Sequence, residues 1–391
     1  MSTLPQLPFA RRDVLDIPPE FRELRERARV TKVRTETGDE AWLVTGYEEA
    51  RRILADDRLG RSHPTPESAP RITNNAMLGG PIGDHATERA THQAMRRLLA
   101  PAFSARRMQR LSGRVQGLVD DLLDELEAAG PPADLHERFS VPLPVQVICE
   151  LLGVPYEDRD SFRRMADAMT DTRDSARSAA AQTELGVYTH TIVQAKRADP
   201  GEDIYSDLAR AELPPVEVAR IAAGLLFAGH ETTVNRIDTG LLCLLRDRTQ
   251  YDALAKDAAL APGAVEEILR LASSTDTSLL RYAHEDVEIA GVTIKAGDAV
   301  SVSVIAANRD EEVFEDAERF DIGREAYDQH LGFGYAMRYC LGASLARVEL
   351  RAVFSTLPRR FPTLELAVPR EELTRRADRV TGGFRELPVV W

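Results

Sequence analysis

Helical periodicity running through most of residues 84–270 is the feature that most restricts how this chain can fold. In RMQRLSGRVQGLVDDLLDELEAA, Leu111, Val115, Leu118, Leu122 and Leu126 recur at spacings of three and four. That interval puts side chains on one face of an α-helix. β signals are short and scattered: AWLVTG near the start, VEIAGVTIKAGDAVSVSV in the last third and ELPVVW at the end. The pattern predicts a mainly α protein with small peripheral β-sheets. The 391 residues exceed what one core usually takes, yet no repeat or Gly/Ser linker marks a boundary. Residues 1–391 therefore read as one large helical domain. Residues 60–83, rich in Pro and Gly and without a period, read as a long loop, and such loops usually serve function.

Charge and hydropathy exclude several classes. A net charge of -13 argues against nucleic acid as the main partner, because phosphate binding wants a basic surface. No apolar run reaches the ~18 residues that span a bilayer. The N-terminus lacks a basic segment followed by an apolar one. The expectation is a soluble, cytoplasmic protein.

Three cysteines are too few for a disulfide framework, and no CxxC or HExxH pair supplies a zinc site. Cys149 and Cys243 lie in apolar runs, where free Cys packs as a small hydrophobe. Cys340 differs: it sits in GFGYAMRYCLGASLAR, between glycines and just before an apolar stripe of Leu345, Val348, Phe354 and Leu357. A cysteine at a helix start is biased toward thiolate. Nucleophile, redox thiol, metal ligand and buried structural cysteine all remain open on this segment alone.

Phe333, Arg338, Cys340 and Gly342 match the F-x-x-G-x-[RH]-x-C-x-G loop, with Ala336 where glycine is usual. AGHETT at 228–233, the E-x-x-R of Glu267 and Arg270, and the AERF of 317–320 follow the same family's order. The chain thus resembles the cytochrome P450 superfamily of haem-thiolate monooxygenases, of the soluble actinobacterial type, from about Trp42 to Trp391.

The resemblance implies the cytochrome P450 fold, haem b (iron protoporphyrin IX) as cofactor and Cys340 as its axial metal ligand. His92, Arg96, Arg281 and Arg338 fall on positions that contact propionates, and Phe333 and Gly342 of the cysteine loop are likewise expected to bind the cofactor. Glu231 and Thr232 lie in a kinked central helix that starts after Pro214-Pro215, Thr232 to stabilise bound dioxygen and Glu231 to relay protons. Thr232, seven residues after Leu225, is expected on the same buried face. A hydroxyl back-bonding to the preceding turn is the plainer alternative for Thr232. His230 is expected to pack away from the haem. Glu267 with Arg270 and Arg319 forms a structural triad.

The substrate pocket is expected from the 60–83 loop, Phe227, Leu279, Leu280 and the Gly382-Gly383-Phe384 tip. Those apolar positions suit a hydrophobic small molecule, a secondary-metabolite intermediate, oxidised with O2. No flavin or iron–sulfur segment is visible, so electrons are expected from a separate ferredoxin and ferredoxin reductase. Arg97, Arg106, Arg107, Arg110, Arg347 and Arg351 offer a docking patch, and the chain is expected to be a monomer. A haem-thiolate protein that does not activate oxygen is the alternative, opposed by Glu231-Thr232.

Overall fold

The computed structural model describes residues 4–272, 278–325 and 329–391. In chain order the helices are α1 (Glu20–Arg27), α2 (Tyr47–Ala55), α3 (Glu88–Leu99), α4 (Ala105–Ala129), α5 (Pro142–Leu152), α6 (Arg159–Met169) and α7 (Ser175–Ala198). They continue as α8 (Ile204–Arg210), α9 (Pro215–Ala228), α10 (Glu231–Arg246), α11 (Arg248–Lys256), α12 (Ala261–Leu271), α13 (Val304–Ala307) and α14 (Ala343–Arg360). The strands are β1 (Val30–Arg34), β2 (Glu40–Val44), β3 (Leu59–Gly60), β4 (Ala133–Asp134), β5 (Leu279–Ala283), β6 (Val287–Ile289), β7 (Val292–Ile294), β8 (Ala299–Val302), β9 (Glu365–Leu366) and β10 (Pro388–Val390). The architecture is mainly α, as the periodicity predicts.

The core lies among α4, α10, α12 and α14. The stripe on α4 buries Val115, Leu118, Leu122 and Leu126, while Leu111 is half-buried at its edge. Each fully buried Leu of this kind contributes about 1.5–3 kcal/mol. From α14, Leu345, Phe354 and Leu357 enter the same core. Gly240 on α10 permits the close crossing: a Cβ there would lie 2.8 Å from Ile268 and 2.9 Å from Phe354.

The largest sheet has the order β1-β2-β8-β5-β3. β8 runs parallel to β2 and antiparallel to β5, with Arg281 opposite Val300. β5 then pairs with β3, setting Gly60 opposite Tyr282. This register brings the start of the 60–83 loop beside Arg281. The far part of that loop is tied down by Asn75, whose side-chain amide donates to the carbonyls of Met169 and Asp171 at the α6–α7 turn.

The central helix is not continuous. It opens with Pro215 in its first turn, breaks at Gly229 and His230, and resumes as α10. The Thr232 hydroxyl donates to the Ala228 carbonyl at 2.9 Å, bridging the break. Among the described residues no helix is long and apolar enough to cross a membrane.

Candidate active site

Cys340 lies three residues before the first residue of α14, with Gly342 at the helix cap. Its amide donates to the Phe333 carbonyl at 2.8 Å, closing the loop around Gly334. Gly334 takes φ 73° and Ala336 φ 54°, so the alanine that replaces the usual glycine occupies left-handed backbone. Such a residue carries a penalty of roughly 1–2 kcal/mol. Burial raises the Cys340 thiol pKa, opposed by a hydrogen bond from the Gly342 amide and by the charges of Arg96 and Arg347. The residue is nonetheless surface-accessible, whereas Cys149 and Cys243 are enclosed and their pKa values are pushed by burial to about 12 and about 11. Only Cys340 has the access that a ligand needs.

Around this loop the structure gathers cations from separate parts of the chain. Arg96 on α3 donates to the Tyr339 carbonyl at 2.6 Å. Arg338 pairs with Glu88, one turn before His92 on α3. Arg281 on β5 is 5% exposed, and its side chain donates to the adjoining Leu280 carbonyl at 2.9 Å. Burial and the nearby guanidiniums of Arg338 and Arg61 take its pKa down to about 9. His92 is lowered to about 4, by burial and then by Arg338 and Arg96. The Nδ1 atom of His92 and the Nε atom of Arg338 are buried without a hydrogen-bond partner among the described residues.

At the helix break, Glu231 is buried and Thr232 exposed. Leu225 and Thr232 share a face, but this face is open rather than packed: Gly224, Ala228 and Thr232 are exposed along it. The sequence expected it to be buried; one turn of α9 and α10 after another leaves it uncovered. The Glu231 carboxylate accepts from the Thr381 hydroxyl at 3.2 Å and lies 3.9 Å from Arg376. Burial raises its pKa, against that hydrogen bond and the charge of His136. It borders a cavity of about 460 Å³, shared with His136, Arg163, Asp167, His230 and Arg376. His230 packs edge-to-face on Phe162 of α6, with ring centroids 5.2 Å apart.

Glu267 and Arg270 form a fully buried bidentate pair at 2.8 Å. The expected third member is corrected. Arg319 is largely exposed and faces Asp321 at 3.4 Å; Arg324 instead reaches Glu267 at 3.3 Å. The chain turns between 319 and 324, so Arg319 gives its carbonyl to Arg270 while its side chain points outward. The docking patch is also narrowed. Arg347 is held bidentately by Glu266, and Arg107 faces Asp207 at 3.7 Å. Arg97, Arg106, Arg110 and Arg351 remain more exposed.

Of the expected pocket residues, Phe227 is buried on α9 and Leu279 is half-buried near Gly334. Leu280 is corrected: it is fully enclosed in the cluster of Leu43, Tyr282 and Ala299. Alternation along β5 sends Leu280 and Tyr282 to one face and Leu279 and Arg281 to the other. Phe384 is likewise enclosed, packed in the main core with Leu387 rather than at an open tip. Sequence reading missed Glu88, Arg61 and Arg324. A signal existed for Glu88, since 88, 92 and 96 share a helix face; none existed for the other two.

The residues present suit a haem. Several guanidiniums around one carboxylate call for a further anionic group, an open strip on an otherwise buried helix suits a flat apolar one, and a surface-accessible thiol lies beside them. Among the described residues no group of three His, Cys, Asp or Glu side chains could hold a metal ion.

Comparison with known proteins agrees. The family model "Cytochrome P450" matches residues 205–375. The chain is 43% identical to pentalenolactone synthase of Streptomyces exfoliatus, over 100% of both chains. It is 38% identical to mycinamicin IV hydroxylase/epoxidase of Micromonospora griseorubida, covering 95% of this chain and 94% of that one. Among solved structures, the substrate-free cytochrome P450 that is a pimaricin epoxidase superimposes with a TM-score of 0.90 at 39% identity, covering 100% of each chain. With this fold, this cysteine loop and full-length relatives at that identity, the chain belongs to the cytochrome P450 family of monooxygenases.

Proposed function

We propose that this protein is a haem b monooxygenase that oxidises a hydrophobic secondary-metabolite intermediate, with electrons from a ferredoxin and its reductase. The observation that carries the reading is the convergence of His92, Arg96, Arg281 and Arg338 beside Cys340. Cys340 would hold the haem iron through its thiolate, and the cations would hold the propionates. Bound there, a haem-thiolate supplies activation of O2 for insertion into substrate.

The chain's own residues supply protons and exclude side reactions. Because the Thr232 proton is engaged by the Ala228 carbonyl, its oxygen can only accept, and it orients a proton donor above the open strip. Glu231, raised above the usual carboxylate range by burial, exchanges protons nearer neutrality. Its polar cavity gives that carboxylate contact with solvent. Phe227 and Leu279 provide apolar walls. The relatives named for pentalenolactone and mycinamicin support a secondary-metabolite substrate.

The test is the spectrum of the reduced, CO-treated protein. The parent, Cys149→Ser and Cys243→Ser are expected to give the thiolate-type Soret band, and Cys340→Ser to lose it. A retained band in Cys340→Ser overturns the ligand assignment. Thr232→Ala is expected to keep the band while less NADPH ends in product and more in peroxide. Charge reversal at Arg97, Arg110 and Arg351 is expected to slow reduction by ferredoxin at low salt, without altering substrate affinity.

A further inference from the structure

The cation cluster contains a member that the family resemblance did not supply. Arg61 follows β3 directly, and the β3–β5 pairing sets it next to Arg281. One of its terminal nitrogens donates to the Gly80 carbonyl at 3.0 Å; its Nε is buried with no partner among the described residues. Its charge is felt by Arg281, and that of Arg338 by Arg61. Burial, followed by repulsion from Arg338, takes its pKa down to about 10 although Tyr282 and Glu88 oppose this.

Three guanidiniums, Arg61, Arg281 and Arg338, thus lie together with one carboxylate, Glu88. His92, lowered to about 4, adds no charge near neutrality. With Arg96 beside them, four positive charges less one negative leave the site net positive, and it calls for carboxylate partners. Burying guanidiniums without counter-charge is costly, and an anion bound there would complete the cluster.

Glu88 fixes the arrangement. Its carboxylate accepts from the Arg61 amide at 2.7 Å and the Ser62 amide at 2.9 Å, from the Ser62 hydroxyl, and from Arg338. It thereby clamps the start of the 60–83 loop to α3 and to the cysteine loop. It also leaves the Arg61 side chain free of it, since the two meet through backbone.

We propose that Arg61 is a haem-propionate ligand acting with Arg281 and Arg338, held in place by Glu88. This rests on the haem reading above. Carboxylates reach such a site from two sources, the haem's propionates or an acidic substrate, and the expected one is the haem.

The experiment uses holoprotein of the parent, Arg61→Met and Arg61→Lys. Haem transfer to excess apomyoglobin and the propionate bending bands in resonance Raman spectra are measured without substrate. Arg61→Met is expected to lose haem roughly tenfold or more faster, the scale of one charge-assisted hydrogen bond, and to shift the bands. Arg61→Lys, which keeps the charge but not the fork, is expected to fall between the two. Unchanged haem loss and bands in Arg61→Met overturn the proposal and leave a substrate carboxylate as the partner of Arg61. Equal losses in both variants with unshifted bands also overturn it, because the residue is then only a brace through Gly80. A parent that holds no haem defeats the proposed function instead, so the two failures are distinct.

Discussion

Two arginine clusters in this molecule stand in opposite states of completion. Around Glu267 every donor is used. Arg270 spends its five N–H groups on two Glu267 oxygens and on the carbonyls of Asn308, Ala317 and Arg319. Glu267 also accepts from the Asp321 amide at 2.9 Å and from Arg324. Around Glu88, three guanidiniums lie near one carboxylate, Arg338 pairs with it, and Arg61 and Arg338 each keep a buried Nε without a partner among the described residues. A closed network holds the fold together; an open one, here less deeply buried, reads as a binding site whose missing members come from outside. Arginine content alone separates neither, and satisfaction of donors separates both.

Breaking the closed cluster carries the largest expected effect. Arg270→Met strands the Glu267 carboxylate at 0% exposure and is expected to cost about 3–5 kcal/mol. Denaturant unfolding would show it, with little holoprotein recovered. Within the same cluster, Arg324→Met is expected to cost about 1.5–3 kcal/mol as a charge-assisted contact, whereas Arg319→Met should stay within about 0.5 kcal/mol as a surface change. Equal effects at 319 and 324 would restore the assignment made from sequence.

The open cluster should respond differently. Arg281→Met is expected to speed haem loss about tenfold while the unfolding midpoint moves less than in Arg270→Met. A collapse of stability instead would make Arg281 a structural member like Arg270.

A third ion pair sharpens the contrast through pH. His136 Nδ1 lies 2.6 Å from Asp238 Oδ2, near the Glu231 cavity. Burial works against the imidazolium, but the charge and hydrogen bond of Asp238 outweigh it, so the folded pKa is raised. The pair's stabilisation is therefore fully present below the unfolded value of 6.5 and is lost as pH rises through the higher folded value. The melting difference between parent and His136→Asn should be greatest below that pH, on the order of 1 kcal/mol, and shrink above it. A difference that grows with pH contradicts the assignment.

The smallest effect concerns the cysteine loop. Ala336→Gly should stabilise by about 0.5–1 kcal/mol, the left-handed penalty less the added unfolded-state entropy of glycine. Thermal unfolding of the holoprotein checks it.

Periodicity in the sequence was enough to determine the helical class, because spacings of three and four on α4 and α14 report directly which face is buried. The glycine-bracketed setting was likewise enough to set Cys340 apart from Cys149 and Cys243, since a helix start and flanking glycines are local properties, while its exposure was decided by the fold. Tertiary structure alone decided the partners. Arg324 replaced Arg319 beside Glu267 because a turn rotates one side chain out and the other in. Leu280 left the pocket because β5 had to choose which face met Leu43 and Ala299. Arg61 joined Arg281 through β3–β5 pairing across more than two hundred residues of chain. A side chain's type and helical face travel with the local sequence, but the partner of a charge depends on which distant backbone lies opposite. That is set by packing of the whole chain.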